Sequence, residues 1–422
     1  MANATLPHSD ASGLTRQQII AWRNSMFVVF GLCGLGLASW VSRVPAVRDA
    51  LGASTAEMGV LIFGVALGSI IGLLGSSHLI ARVGARRALA ICLTVGPLGF
   101  IVAGVGASFG PSFAVVFIGL TIFGAGLSVS DVAMNVSGAA NERVLGRSIM
   151  PIYHAFFSIG TMIGAALGAL AEFIGLPIVA HTAIIAVVMV LTAHLALRSV
   201  QHENILEVGE NAVADDDHSK SWQGRLSIWR DPRTLLIGLI VLGMAFAEGS
   251  ANDWLALATV DGYLVANEVG AIMFGVFVTA MTLGRLFGVF ILDRFGRVPV
   301  LRGSALLAMV GLVIFIFGGP NIWVAVLGIV LWGLGSALGF PVGMSAAADD
   351  PKTAAARVSA VATIGYVAFL IGPPLLGFLG ENFGLLNSLL VVLVLVTVAG
   401  LASGSAREPR ALDPKSDAAT PR

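Results

Sequence analysis

Twelve apolar segments, each about as long as a membrane-spanning helix, constrain what this chain can fold into. A helix needs about 20 predominantly apolar residues to cross the hydrocarbon core of a bilayer. Segments of this length lie near 22–42, 56–79, 88–107, 112–137, 150–172, 176–198, 234–258, 268–290, 298–318, 321–345, 354–380 and 384–404. Backbone polar groups in lipid must be satisfied within such a segment, so each one predicts an α-helix. The sequence therefore predicts an all-α integral membrane protein with the lipid bilayer as its surroundings.

The composition supports this class and excludes several others. Charged residues make up 11% of the chain, against roughly a quarter in soluble proteins. The 24 basic and 24 acidic residues balance, which gives no electrostatic reason to bind nucleic acid. Cys33 and Cys92 both lie in apolar segments and are predicted to pack as small apolar residues. We expect no metal site, no cofactor and no catalytic residues, and a phosphate-binding loop with lysine is absent from the sequence.

One long polar stretch divides the twelve segments into two groups of six. It covers 199–232 and contains the acidic run 215–217, which is typical of a solvated linker. We predict a first bundle at 22–198 and a second at 233–405, with polar tails at 1–21 and 406–422.

The two groups also repeat a compact charged turn. Segments eight and nine are joined by 293–297 (DRFGR), and Arg82 and Gly84 precede Arg294 and Gly296 by the same 212 residues. Charge this close to two apolar segments must lie at a water interface, because a charged group in hydrocarbon costs several kcal/mol. We expect these turns to gate movement between the two halves, through Asp293, Arg294, Arg297, Arg82 and Arg86.

The positions of the basic residues predict the sidedness of the chain. With twelve spans, both tails and the 199–232 linker lie on one side of the membrane. Of the 24 Lys and Arg, all but Arg43, Arg48 and Arg285 fall in the tails, the linker and the other connections on that side. Arg285 lies inside the eighth segment. Basic residues accumulate on the cytoplasmic side of membrane proteins. Both termini and the 199–232 linker are therefore predicted to be cytoplasmic.

The turn at 293–297 and the six-plus-six layout resemble the major facilitator superfamily. The segment 131–160 and the run 248–254 (EGSANDW) are similar to a bacterial branch near the fucose-permease-type sugar transporters. This resemblance implies two six-helix pseudo-repeats in a bacterial inner membrane, acting as a monomer on a small-molecule substrate near the bilayer midplane. The first charged turn departs from the family pattern, since Ala81 stands where the second turn has Asp293.

Intramembrane polar residues on the seventh segment are the leading site candidates. Glu248 lies near its middle, followed by Asn252, Asp253 and Trp254. An ionised side chain at this depth must face a cavity or a partner, and Glu248 and Asn252, four residues apart, share one helix face. The structural alternative for Glu248 is a lock to Arg285. Trp254 fits either a stacking wall for a sugar ring or an interfacial anchor.

The first half offers a second group of candidates. Asp131 and Asn135 lie four residues apart on the fourth segment, and His154 begins the fifth at a similar depth. A carboxylate beside an imidazole could relay protons or latch a gate. A hydrogen-bonded pair that only holds helices four and five together is the structural alternative.

These residues predict a secondary transporter that imports a small polar, sugar-like solute with protons. We expect Glu248 to be the coupling residue and Asp131 to be the next candidate, since no carboxylate lies between positions 26 and 41, where sugar–proton relatives often carry one. A drug or metabolite efflux antiporter is the alternative; against it, Gly164 is followed by Ala165 rather than by the proline of the antiporter signature. A non-transporting membrane sensor is a further alternative, although the chain contains no large soluble domain.

Overall fold

The computed structural model describes residues 13–146, 149–202, 228–349 and 353–408. Within these ranges twelve helices are long and apolar enough to cross a membrane, which confirms the predicted all-α membrane fold. In chain order, α1 to α12 are Arg16–Val41, Thr55–Val83, Ala85–Ser108, Phe113–Leu145, Met150–Phe173, Ile178–Leu197, Pro232–Tyr263, Asn267–Phe295, Arg297–Phe317, Ile322–Ala347, Ala354–Phe383 and Leu385–Ala406. The acidic run 215–217 and most of both predicted tails lie outside the described residues.

The structure departs from the predicted segments where helices extend or break. Helix α4 continues to Leu145, past the apolar segment that was predicted to end at 137. Helix α10 consists of Ile322–Ser336 and Gly339–Ala347 with a short break between them. A short helix, Val44–Leu51, follows α1 and was not predicted. An apolar segment reports the thickness of the hydrocarbon layer, whereas backbone hydrogen bonding decides where a helix begins and ends.

The two halves use the same helix pairings. In the first half α1 packs on α5, α4 packs on α2 and α3, and α3 packs on α6. In the second half α7 packs on α11, α10 packs on α8 and α9, and α9 packs on α12. Each pairing recurs six helices later, so the halves are structural repeats. The main contacts between the halves, α2 with α11 and α5 with α8, are also related by this repeat.

The charged turns that suggested the repeat have the same backbone conformation. Gly84 is the single residue between α2 and α3, with φ 80° and ψ 158°. Gly296 is the single residue between α8 and α9, with φ 76° and ψ 173°. Glycine adopts positive φ without the steric penalty of a side chain. The common offset of 212 residues therefore reflects one turn that is built twice.

Glycines let the helices of each bundle approach closely. A Cβ atom on Gly68 of α2 would collide with the backbone carbonyl of Thr121 on α4, and one on Gly72 would lie 2.5 Å from the carbonyl oxygen of Ala125. A Cβ atom on Gly164 of α5 would lie 2.5 Å from the carbonyl oxygen of Leu35 on α1. Small residues at such contacts are typical of membrane helix packing. Each bundle is thus held together at backbone distance.

Substitution on one face of α2 tests this packing. We expect Gly68→Ala to lower the free energy of unfolding by about 1–3 kcal/mol, because the methyl group has no room against α4. Gly75→Ala on the same helix is the matched control, since nothing lies within 4 Å of its Cβ position, and alanine there should be neutral or slightly stabilising. Thermal unfolding of the two purified variants measures the difference. Equal melting temperatures would show that the α2–α4 contact is not tight.

Candidate functional site

A cavity of about 540 Å³ lies between the two bundles. Its walls come from α1, α2, α4 and α5 of the first half and from α7 and α11 of the second. The polar side chains that line it are Ser69, Ser128, Asp131, Asn252, Asp253, Thr363 and Tyr366. Three predicted site residues, Asp131, Asn252 and Asp253, thus meet at one cavity although they come from different halves of the chain.

Asp131 reaches the cavity from α4, and its side chain is exposed there. Asn135, one turn later, donates from Nδ2 to the backbone oxygen of Asp131 at 2.8 Å and to its Oδ1 at 3.4 Å. His154 begins α5 as predicted, but its ring packs edge-on against Phe30 with centroids 5.2 Å apart. No hydrogen bond joins Asp131 to His154 among the described residues. The predicted carboxylate–imidazole pair is therefore not formed in this conformation.

Helix α7 turns one face towards the cavity. Gly249, Asn252 and Asp253 line it at the i, i+3 and i+4 positions that share a helix face. Asp253 has no ion-pair partner in the described part of the chain, and neither has Asp131.

Glu248 and Trp254 of α7 lie away from this lining. Both carboxylate oxygens of Glu248 accept from Nη2 of Arg285 on α8, at 2.9 and 3.0 Å, which is the lock that the sequence offered as the alternative. Trp254 has no exposed surface. It belongs to the buried core and is not among the residues that line the cavity, so in this conformation it is neither a cavity wall nor an interfacial anchor.

Charged residues join the two bundles on the side opposite the termini. Arg48, on the short helix after α1, forms an ion pair with Asp261 near the end of α7. Asn267 at the start of α8 donates to Asp49 at 2.9 Å. Glu381 near the end of α11 accepts from the backbone nitrogen of Thr55 at 2.8 Å, at the first turn of α2. The backbone nitrogen of Ala56 also donates to Glu381, at 3.4 Å, so polar contacts of the described residues connect the halves at this end.

Close helix packing lies beneath these polar contacts. A Cβ atom on Gly59 of α2 would be 2.7 Å from the carbonyl oxygen of Pro373 on α11, and one on Gly377 would be 2.9 Å from Cα of Gly59. At the end that carries the termini, no hydrogen bond or ion pair between the bundles is found within the described ranges. The cavity is thus closed on the far side, and its lining continues towards Leu73 and Thr363, nearer the side of the termini.

Two arginines of the second charged turn have identifiable partners. Arg297 forms an ion pair with Asp349 just after α10, at 2.6 Å. Arg233 at the start of α7 shares the same carboxylate at 2.7 Å. Arg294 lies over the ring of Phe295. Only Gly296 separates the two helices, so Asp293 lies in the last turn of α8, while Arg297 begins α9 and reaches the neighbouring α10.

The remaining turn residues have no polar partner in the described ranges. Asp293 of the second turn, and Arg82 and Arg86 of the first, form no hydrogen bond or ion pair there. The gating role of these three residues therefore stays a prediction.

Sequence reasoning missed the residues that hold the far side closed. The available signal was charge distribution: Arg48 is one of only two basic residues predicted on that side. The other, Arg43, is 3% exposed and pairs with Glu172 at 3.2 Å within the first bundle. Asp261 and Glu381 come from helix ends that are distant in sequence, so no local pattern associates them with Arg48 or Thr55.

Comparison with known proteins identifies the family to which this architecture belongs. The family model of the Major Facilitator Superfamily matches residues 26–270 and 251–421. The chain belongs to this superfamily. It is therefore a multi-pass membrane transporter and not an enzyme.

Similar proteins occur in several bacteria. The chain is 30% identical to an uncharacterized MFS-type transporter of Yersinia pestis, over 92% of this chain and 97% of that protein. It is 29% identical to the uncharacterized transporter y4wD of Sinorhizobium fredii, over 87% of this chain and 93% of that protein. Membrane protein MosC of Rhizobium meliloti is 26% identical over 89% of this chain and 87% of its own length.

Solved structures share the fold at low sequence identity. The nucleoside transporter NupG superposes with a TM-score of 0.70 at 16% identity, covering 92% of this chain and 98% of that one. The E. coli fucose:proton symporter FucP superposes with a TM-score of 0.60 at 16% identity, covering 93% and 100%. A bacterial homologue of the lysosomal transporter Spinster, in an inward-facing and unoccupied conformation, gives 0.69 at 14% identity, covering 97% and 100%.

The far-side contacts can be tested by removing one charged partner at a time. We expect Glu381→Gln and Asp261→Asn each to raise the population open on the far side by about tenfold, since hydrogen bonds to charged groups contribute roughly 1.5–3 kcal/mol. Spin labels at Ala53→Cys and Asn382→Cys report the distance between the ends of α2 and α11.

Glu268→Gln is the control for this measurement. It removes a carboxylate from the first turn of α8, on the same side, and Glu268 has no hydrogen-bond or ion-pair partner among the described residues. We expect its distance distribution to match that of the parent protein. Unchanged distributions in all three variants would remove these contacts from the gate.

Proposed function

We propose that this transporter is a secondary active carrier that moves a small polar solute, sugar-like or a similar metabolite, by alternating access. The observation that carries the proposal is the cavity between the bundles, which two intramembrane carboxylates line. Among the described residues, polar contacts between the bundles close it on one side only. Rigid bundles joined through few contacts can rock about such a site. The likeness to NupG and FucP supports a solute in the size range of a nucleoside or a monosaccharide.

Proton coupling is part of the proposal, and the cavity carboxylates are the groups best placed for it. Asp131 and Asp253 face the cavity without an ion-pair partner among the described residues, so their exposure changes when the bundles rock. The expectation that Glu248 is the coupling residue remains a rival hypothesis. Its two hydrogen bonds to Arg285 favour a fixed charge that holds α7 to α8.

Neutralising Asp131 and Glu248 in separate variants distinguishes the two hypotheses about the proton-coupling residue. A thermal-shift screen against sugars, nucleosides, organic acids and amines supplies a transported solute for proteoliposome assays. We expect Asp131→Asn to abolish accumulation driven by a pH gradient while exchange of solute across the membrane continues, because a permanently neutral group cannot cycle a proton. Glu268→Gln, outside the cavity, should accumulate solute normally. Full gradient-driven accumulation in Asp131→Asn would assign the coupling elsewhere.

Glu248→Gln tests the role of the ion pair. We expect it to lower the free energy of unfolding by about 1–3 kcal/mol, since it leaves the partly exposed Arg285 without its counter-charge. Thermal unfolding measures this effect. A normally stable Glu248→Gln protein that still exchanges solute but has lost gradient-driven accumulation would instead support Glu248 as the coupling residue.

The orientation of the chain is also part of the proposal. With both termini in the cytoplasm of a bacterium and the chain in its inner membrane, the conformation described here is open towards the inside. The asymmetry of the basic residues supports this orientation.

Labelling at the two ends of α7 tests the orientation. Arg230 lies just before α7 and Leu264 just after it, and both are exposed. In a cysteine-free background we expect an impermeant thiol reagent applied to intact cells to label Leu264→Cys but not Arg230→Cys. Both should react after the cells are permeabilised. The opposite pattern in intact cells would invert the assignment.

Efflux by proton antiport is a second candidate, and one observation favours it. Most of the cavity lining is apolar, with Leu37, Ile62, Leu127 and Leu370 among the side chains around the carboxylates. Such a surface suits an amphiphilic compound. Proteoliposome assays with pH gradients of either direction distinguish the two. Solute uptake driven by proton entry indicates import by symport, whereas solute uptake driven by proton exit indicates efflux by antiport.

A further inference from the structure

The charges that line the cavity are all negative. Asp131 approaches from α4 and Asp253 from α7, while none of the residues that line the cavity in the described part of the chain is Lys, Arg or His. An anionic ligand would face two carboxylates without any counter-charge, and like charges repel strongly in a site with little water. Among the small polar solutes of the proposed function, this charge favours a metabolite over a neutral sugar, and we propose that the transported solute is a small organic cation that carries an ammonium group.

The nearby basic residues do not offset this negative charge. Arg285 on α8 is held by both oxygens of Glu248. Arg43 is buried against Glu172 and donates to the backbone oxygen of Leu176 at 2.8 Å. Each is neutralised within its own bundle, so the carboxylates of the cavity remain available to a ligand.

The neutral polar groups point to the same ligand chemistry. The hydroxyl of Ser69 donates to the backbone oxygen of Gly124 at 3.4 Å, and that of Thr363 donates to the backbone oxygen of Ser359 at 2.8 Å. Ionised carboxylates only accept hydrogen bonds. Two of the hydroxyls in the lining are therefore already used as donors within their own bundles, whereas both carboxylates can accept from the several N–H donors of an ammonium group.

Aromatic side chains complete the site. Trp40, Phe157, Tyr366 and Phe369 line the cavity from α1, α5 and α11. Aromatic faces attract cations, by about 0.5–2 kcal/mol for each favourable contact, and also cover the apolar body of a ligand. A cation with a ring or alkyl body matches carboxylates that are set among aromatic walls.

This assignment rests on the proposed function for the statement that the bound cation is transported. Its electrostatic basis can be tested without any measurement of transport. Single reporters at Thr363→Cys on α11 and Ser128→Cys on α4 place a thiol in the cavity from each bundle, in a Cys33→Ala, Cys92→Ala background. Methanethiosulfonate reagents with cationic, neutral and anionic head groups are then compared, each rate being divided by the rate of that reagent with a free thiol.

We expect the cationic reagent to react roughly tenfold or more faster than the anionic one at both reporters, as charged clefts concentrate counter-ions by such factors. Asp131→Asn and Asp253→Asn should each reduce the ratio, whereas Glu268→Gln should leave it unchanged. Equal normalised rates, or a faster anionic reagent, would overturn the assignment whether or not the protein transports.

The ligand class is tested by thermal shift with probes of matched shape. Sets such as benzylamine, benzyl alcohol and benzoate, extended to alkyl and quaternary amines, vary charge while the body stays constant. We expect stabilisation by cations, and its loss in Asp131→Asn or Asp253→Asn. If no cation stabilises the protein, or if the neutral and anionic partners stabilise it equally, the assignment to organic cations is wrong. Binding of cations without transport in proteoliposomes would instead reject the proposed function and retain the binding site.

Discussion

The free energy of placing a charge inside a membrane governs how this protein is built. A charged side chain in hydrocarbon must find a counter-charge or a polar cavity. Arg285 and Glu248 meet the first condition between α7 and α8, and Arg43 with Glu172 meets it in the first bundle. Asp131 and Asp253 meet the second, at the cavity between the halves. The carboxylates without an ion-pair partner among the described residues therefore lie at the cavity that we propose as the solute site.

The same division between internal and shared contacts explains how the halves can move. Within each bundle, glycines bring the helices to backbone contact, as Gly68 does against Thr121. Between the bundles, the polar contacts described lie on one side, through Arg48 with Asp261 and Glu381 with the start of α2. Packing inside a bundle resists deformation, whereas a few surface contacts exchange readily. The proposed rocking of two stiff bundles rests on this difference.

Part of the candidate site was predictable because rare residues are informative in a membrane. Asp131, Asn252 and Asp253 were singled out as polar residues inside membrane-length segments, and all three line the cavity. Glu248 satisfied the same rule, but its tertiary partner Arg285 removes it from the lining. Tyr366 drew no attention, because a tyrosine in an apolar segment is unremarkable until the fold places it beside a carboxylate.

The sequence by itself determined the twelve helices, their division into two similar halves and the repeated turn at Gly84 and Gly296, since hydrophobic length and positive φ are local properties. Only the tertiary structure decided which charges pair. Arg297 pairs with Asp349 just after α10, and Glu381 caps a helix more than 300 residues earlier in the chain. Ion pairs and cavities depend on the distance between atoms in space, and the packing of α2 on α11 and α5 on α8 sets those distances.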